Sequence, residues 1–230
     1  MSFATNKPAI REIGWILSSM HREAARRHAP VFAAESSTRD TPFTILVFTM
    51  LSARTKDKTT MEAASRLFKK AKTPKQILAL GRRRLEKTLY GVGFYRTKTR
   101  NLLKTCDALR SRPVPDTLEG LLELPGVGRK TANIVLARAF GKSSLGVDVH
   151  VHRISNRLGL VRTKKPEQTE AALVKIIQER YLRTLNRDFV AFGQTVCLPR
   201  NPMCGVCPLN RVCFRAGIRE PCGKCRYGLK

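Results

Sequence analysis

Apolar residues recur at intervals of three and four along nearly the whole chain. In residues 8–27 they fall at Ile10, Ile13, Leu17 and Met20. Comparable faces run through 57–70, 74–80, 82–90, 96–112, 116–123, 129–140, 149–158, 166–182 and 186–197. That period is helical. The segment PFTILVFTMLSA (42–53) is apolar on every side. It falls short of the roughly 20 residues that span a bilayer, so it predicts a helix buried in a protein core. No stretch alternates with period two, and the fold class expected is all-α. Thr73 before Pro74, Asp116 and Asp148 stand where helix-start residues belong.

Net charge narrows the partners. Lys and Arg number 44 against 17 Asp and Glu, giving +27 at pH 7, and a field of that sign binds polyanions through their phosphates. Nucleic acid is the expected partner and a membrane is not. Met1–Pro8 is polar, and Glu12 and Glu23 interrupt the basic face of the helix after it, so neither a signal nor a transit peptide is predicted. The expected compartment is the cytoplasm (nucleoid-associated) of a prokaryote or the nucleus of a eukaryote. There the seven cysteines stay reduced, and their spacing reads as metal chemistry before disulfides.

Two short stretches, LYGVGFYRT (89–97) and LPGVGRKTA (124–132), share L-x-G-V-G between helical segments. The second puts Lys130 just after a glycine, but it lacks the G-x-x-x-x-G-K-[ST] spacing of a nucleotide P-loop and comes after a helix-like segment rather than a strand. Glycines permit a tight reversal and leave backbone amides bare, and a helix beginning beyond each turn adds the positive end of its dipole. Gly126, Val127, Gly128 and Arg129 are therefore candidate phosphate contacts, or the turns simply join helices. Taken alone, Lys130 reads as one more phosphate contact and Asp148 as an ordinary N-cap. His150 and His152, two apart on a helix, point to different faces and read as surface or phosphate contacts rather than metal ligands. Cys106 reads as core.

Four cysteines, Cys197, Cys204, Cys207 and Cys213, are spaced C-x6-C-x2-C-x5-C and can enclose a metal centre. Zinc is the general default for four thiolates, although zinc ribbons usually pair two C-x-x-C knuckles across a longer gap. Cys222 and Cys225 form a further C-x-x-C that does not complete a site alone, and they read as solvated thiols.

LPGVGRKTANIVLARAFGKSSLGVDVHVHRISNRLGL (124–160), with LSARTKD (51–57), GFYRTKTRNLLKTC (93–106) and the terminal cysteines, resembles the endonuclease III family of DNA glycosylases, over most of the chain. The resemblance implies a six-helix lobe at 35–142 carrying a helix-hairpin-helix, and a second lobe from 1–34 and 143–230 carrying a 4Fe-4S loop at 197–213. It further implies a DNA groove between the lobes and a monomer acting on double-stranded DNA with damaged bases or abasic sites. Lys130 is then the nucleophile that forms a Schiff base with C1′, and Asp148 the carboxylate that stabilises the cationic sugar. The amine must be neutral to attack, against a reference pKa of about 10.4. Arg129, the helix start and cover by the substrate all oppose its charge.

By the same resemblance Phe94 is the wedge that fills the gap left by a flipped base, and Arg54 enters from the other side. Both depart from the leucine and glutamine of the best-known bacterial pattern, and Phe94 on its own reads as a core residue. Arg200, Arg211 and Arg215, among the cysteines, could meet phosphates. The expected activity is removal of oxidised pyrimidines such as thymine glycol, with nicking 3′ of the abasic site by β-elimination. Two alternatives stay open: a glycosylase for uracil or thymine mispaired with guanine, and a noncatalytic iron-sulfur protein that binds DNA or senses redox state.

Overall fold

The computed structural model describes residues 7–36 and 41–218. Among these every regular element is helical: α1 (Lys7–Arg11), α2 (Ile13–Arg26), α3 (Pro30–Ser36), α4 (Pro42–Ser52), α5 (Asp57–Phe68), α6 (Pro74–Leu89), α7 (Tyr95–Ala108), α8 (Leu118–Leu122), α9 (Arg129–Phe140), α10 (Val149–Leu158), α11 (Pro166–Ile176) and α12 (Glu179–Thr195), with a 3-10 turn at Cys204–Val206. None is long and apolar enough to cross a membrane. The chain divides into two compact units, Ala33–Gly146 and the pair Met1–Phe32 with Val147–Lys230. Cys222 and Cys225 lie outside the described residues.

The 33–146 unit is built around α4. Every residue from Phe43 to Leu51 is buried, as an apolar surface on all sides requires. Thr41 and Thr44 form a reciprocal capping box at its start, with bonds of 2.9 and 3.2 Å. Around it pack α5, α7 and α9, and α6 lies along α7. Leu67, Ile77, Leu85, Leu89, Leu102, Cys106 and Leu121 fill the same core. Cys106 is fully buried, and burial pushes its thiol up to about 12. The helices expected at 74–80 and 82–90 meet end to end within α6, where Gly81 leaves helical geometry at φ 67°, ψ 167°.

In the other unit α2 and α12 pack along each other and α10 joins α12. Ile13, Ile16, Leu17 and Met20 on α2 and Leu185, Phe189 and Phe192 on α12 are all buried. Three local expectations change. The helix expected over 8–27 is broken at Glu12. That expected over 166–182 stops at Ile176, because Ile177 and Gln178 turn extended and keep the Ile177 side chain buried; α12 thus starts at Glu179 rather than at the expected 186. Thr117, not Asp116, caps α8 by accepting from the Gly120 amide at 3.2 Å. The carboxylate of Asp116 is instead paired with Lys142 at 2.8 Å.

Candidate active site

Within the 33–146 unit the chain leaves α8, reverses, and enters α9 at Arg129. Val127 is the pivot: its side chain is buried and its amide donates to the Leu124 carbonyl at 3.0 Å. Gly126 sits at φ +83°, and a Cβ there would lie 2.6 Å from Asn101 Nδ2, so the position excludes any side chain. Thr105 Oγ1 ties the turn down by donating to the Pro125 carbonyl at 3.0 Å. Gly128, the N-cap of α9, faces open space, and no side chain caps the helix. The positive end of the helix dipole thereby faces outward, where it favours an anion. Arg129 and Lys130 are exposed in that first turn.

The first L-x-G-V-G has the same geometry. The Val92 amide donates to the Leu89 carbonyl at 3.0 Å, Gly91 sits at φ +93°, and Leu89 and Val92 are buried. The motif is thus a true structural repeat, and the two copies differ at the second glycine: a Cβ on Gly93 would collide with the Arg54 carbonyl, while one on Gly128 would meet nothing. Phe94 is 63% exposed, which overturns the core reading of that residue. It lies 5.7 Å from the Arg54 guanidinium, measured to the ring centroid, within cation–π range. Both residues sit in the left-handed region, at φ 53° for Arg54 and 57° for Phe94. Such backbone costs of order 1–3 kcal/mol per residue and persists where the surroundings enforce it.

The segment after α9 folds back on that helix. Asn133 Nδ2 donates to the Leu145 carbonyl at 3.1 Å and Ser144 Oγ to Asn133 Oδ1 at 2.9 Å. A Cβ on Gly146 would meet Ile134 Cγ1 at 2.5 Å and the Lys130 carbonyl at 3.0 Å, so only glycine allows this approach to the lysine's own turn.

In the other unit Asp148 is the N-cap of α10, and one oxygen, Oδ1, accepts from both the His150 and Val151 amides at 2.9 Å. Among the described residues Oδ2 carries no hydrogen bond, so the cap holds the carboxylate by one oxygen. The histidines after it are half-buried rather than fully exposed. His152 Nδ1 is 2.6 Å from Thr169 Oγ1 on α11, and His150 Nδ1 is 3.2 Å from Arg153 Nη2, which also donates to the Gly193 carbonyl on α12. Two positions apart on a helix, the rings diverge toward two packed neighbours.

Cys197, Cys204, Cys207 and Cys213 line one cavity. Burial pushes Cys207 up to about 12 and Cys213 up to about 11, and Cys207 is raised further by Cys213, Cys197 and Cys204. Among the described residues no group of three or more His, Cys, Asp or Glu is arranged to hold a metal ion. Four cysteines around one cavity are a donor set that either zinc or an iron-sulfur centre takes. N–H groups also face the sulfurs: Arg157 Nη1 reaches Cys197 Sγ at 3.3 Å, and the Arg215 amide reaches Cys213 Sγ at 3.4 Å. Arg157 is buried and also donates to the Leu198 and Pro199 carbonyls at 2.7 and 2.8 Å, tying α10 to the first cysteine. Its only sequence signal is an arginine on the buried side of an amphipathic helix, too weak to mark it as a candidate. Arg200 and Arg211 are exposed, while Arg215 is bonded to Asn210 Oδ1.

Residues 47–179 match the HhH-GPD superfamily of base excision DNA repair proteins. The chain is 43% identical over 197 residues to endonuclease III of Thermotoga maritima, covering 84% of this chain and 92% of that one. It superposes on endonuclease III in a non-covalent complex with DNA at TM-score 0.78 and 33% identity, covering 90% of this chain and 95% of that one. A trapped covalent endonuclease III–DNA intermediate matches at the same score and identity, with coverages of 90% and 96%. With a family match over more than half its length and a relative this similar, the chain belongs to the endonuclease III family of DNA glycosylases with AP lyase activity, within the HhH-GPD superfamily.

Proposed function

We propose that this enzyme binds damaged duplex DNA and removes oxidised pyrimidines through Lys130, then nicks the strand 3′ of the abasic site. The observation that carries the reading is Lys130 exposed in the uncapped first turn of α9, just past the glycine turn. Phosphates of the lesion strand dock at the glycine turn and the positive end of α9 and bring C1′ to the lysine. The amine lone pair attacks C1′, and the glycosidic bond breaks with its electrons leaving on the base, which takes up a proton. Opening of the sugar ring gives a Schiff base between Nζ and C1′. Removal of a proton from C2′ expels the 3′ phosphate, and hydrolysis frees Lys130. Asp148 stabilises the cationic sugar as the base departs and takes part in proton transfer through Oδ2. The covalent intermediate trapped for a relative with 33% identity supports this route.

Arg54 and Phe94 enter the duplex where the base is extruded. An arginine in place of glutamine offers a planar fork of donors to the orphaned base, so it sets a preference for the opposite base. Cys197, Cys204, Cys207 and Cys213 hold a 4Fe-4S cluster, which fixes the terminal loop and leaves Arg200 and Arg211 to face phosphates. Purified protein should be yellow-brown with about four irons per chain; stoichiometric zinc without iron would overturn the cluster assignment. The substrate class is tested by borohydride trapping on duplexes carrying thymine glycol, uracil opposite guanine or thymine opposite guanine. A covalent band on thymine glycol well above the other two is expected, and the reverse order would move the enzyme to the mismatch branch.

A further inference from the structure

Lys98 takes no part in the glycosidic chemistry, yet its ammonium group is fully engaged. It lies one turn into α7, half-buried, and donates to the Leu51 carbonyl at 2.6 Å, the Ala53 carbonyl at 2.5 Å and Thr55 Oγ1 at 3.0 Å. Three acceptors use all three protons of an ammonium group. Two of them are carbonyls at the end of α4, where a helix leaves acceptors unfilled and favours a cation. The lysine thus closes off the central helix and fixes the direction in which the chain leaves it.

That exit carries Arg54. Thr55 Oγ1, held by Lys98, in turn accepts from the Gly93 amide at 3.2 Å, and Gly93 lies so close to the Arg54 carbonyl that a Cβ would collide with it. One ammonium group therefore joins the loop bearing Arg54 to the turn bearing Phe94. The two side chains occupy adjacent left-handed positions that neither would hold unaided. Burial lowers Lys98 to about 8, so the charge is kept at a desolvation cost that its three bonds offset.

We infer that Lys98 is a positioning residue for base extrusion: it locks the Arg54 loop and the Phe94 turn into one rigid pair, and through them sets opposite-base discrimination. This rests on the reading that Arg54 and Phe94 enter the duplex. The pair has no task when the sugar is already unstacked, so the role is specific to duplex substrates.

The test compares Lys98→Met, Arg54→Ala, Phe94→Ala, the Arg54→Ala/Phe94→Ala double variant and the Lys98→Met/Arg54→Ala/Phe94→Ala triple variant. Single-turnover rates are measured on thymine glycol in duplexes with each of the four opposite bases, and on an abasic site in single-stranded DNA. Thermal unfolding checks that every variant is folded, and Lys98→Arg supplies a conservative rescue if Lys98→Met is not. Lys98→Met is expected to slow the duplex reaction at least 10-fold, flatten the opposite-base ranking and leave single-strand nicking within about twofold. In the triple variant the lysine substitution should add nothing to the loss in the double variant, because it acts only through that pair. Equal loss on duplex and single strand, or full additivity in the triple variant, would overturn the positioning role alone. Unchanged duplex rates and ranking in both Arg54→Ala and Phe94→Ala would overturn the insertion reading, and the inference with it.

Discussion

Lys130→Gln should reduce borohydride-trapped adduct and strand nicking to background while the protein stays folded and still binds duplex DNA. The glutamine amide has no basic lone pair to offer C1′, so the covalent route is closed rather than slowed. The lysine is exposed and closes no buried hydrogen bond, so stability should be unchanged within about 0.5 kcal/mol. Affinity for undamaged duplex should fall only a few-fold: one contact is lost from a chain with 44 basic residues, and each phosphate contact adds about one power to the salt dependence. Gel-shift measurement beside the trapping reaction separates the two effects. A variant that still nicks at the wild-type rate would remove Lys130 from the chemistry.

Asp148→Asn should be the next most damaging change, lowering single-turnover base release by about 10²–10⁴ with little effect on thermal stability. The residue has two roles, and the amide separates them. Asparagine caps helices about as well as aspartate, so the bonds from the His150 and Val151 amides survive through its carbonyl oxygen. The negative charge that would face the developing cation is lost. Asp148→Ala removes both roles and should in addition destabilise the fold by about 1 kcal/mol. If Asp148→Asn kept the wild-type rate and only Asp148→Ala was impaired, the aspartate would be a cap and nothing more.

Much of this site is legible in the order of residues. The two L-x-G-V-G stretches predict a pair of equivalent turns, and Val92 and Val127 indeed make the same bond to Leu89 and Leu124. The turn chemistry is local, so a few neighbouring residues are enough to encode it. Asp148 as a helix start is legible for the same reason. Phe94 is not: an aromatic residue among apolar neighbours reads as core, and only the left-handed backbone at that position turns it outward. Arg157 and Lys98 are hidden more deeply. Their carbonyl partners lie 41 to 47 residues away in the chain, and a helical period marks which face is covered without marking what covers it.

The helical class, the burial of α4, the two glycine turns and the cysteine framework are all encoded locally. Each depends on residues within a few positions of one another, whose periodicity and backbone freedom are short-range properties. Long-range packing is needed to stand Arg54 beside Phe94 and to give the cap of α8 to Thr117 while Asp116 pairs with Lys142. It also brings His152 against Thr169 on α11 and lets one half-buried ammonium, through Thr55, join two loops. Those outcomes depend on which groups compete for the same donors and acceptors once distant segments meet, a competition that the order of residues along the chain does not display.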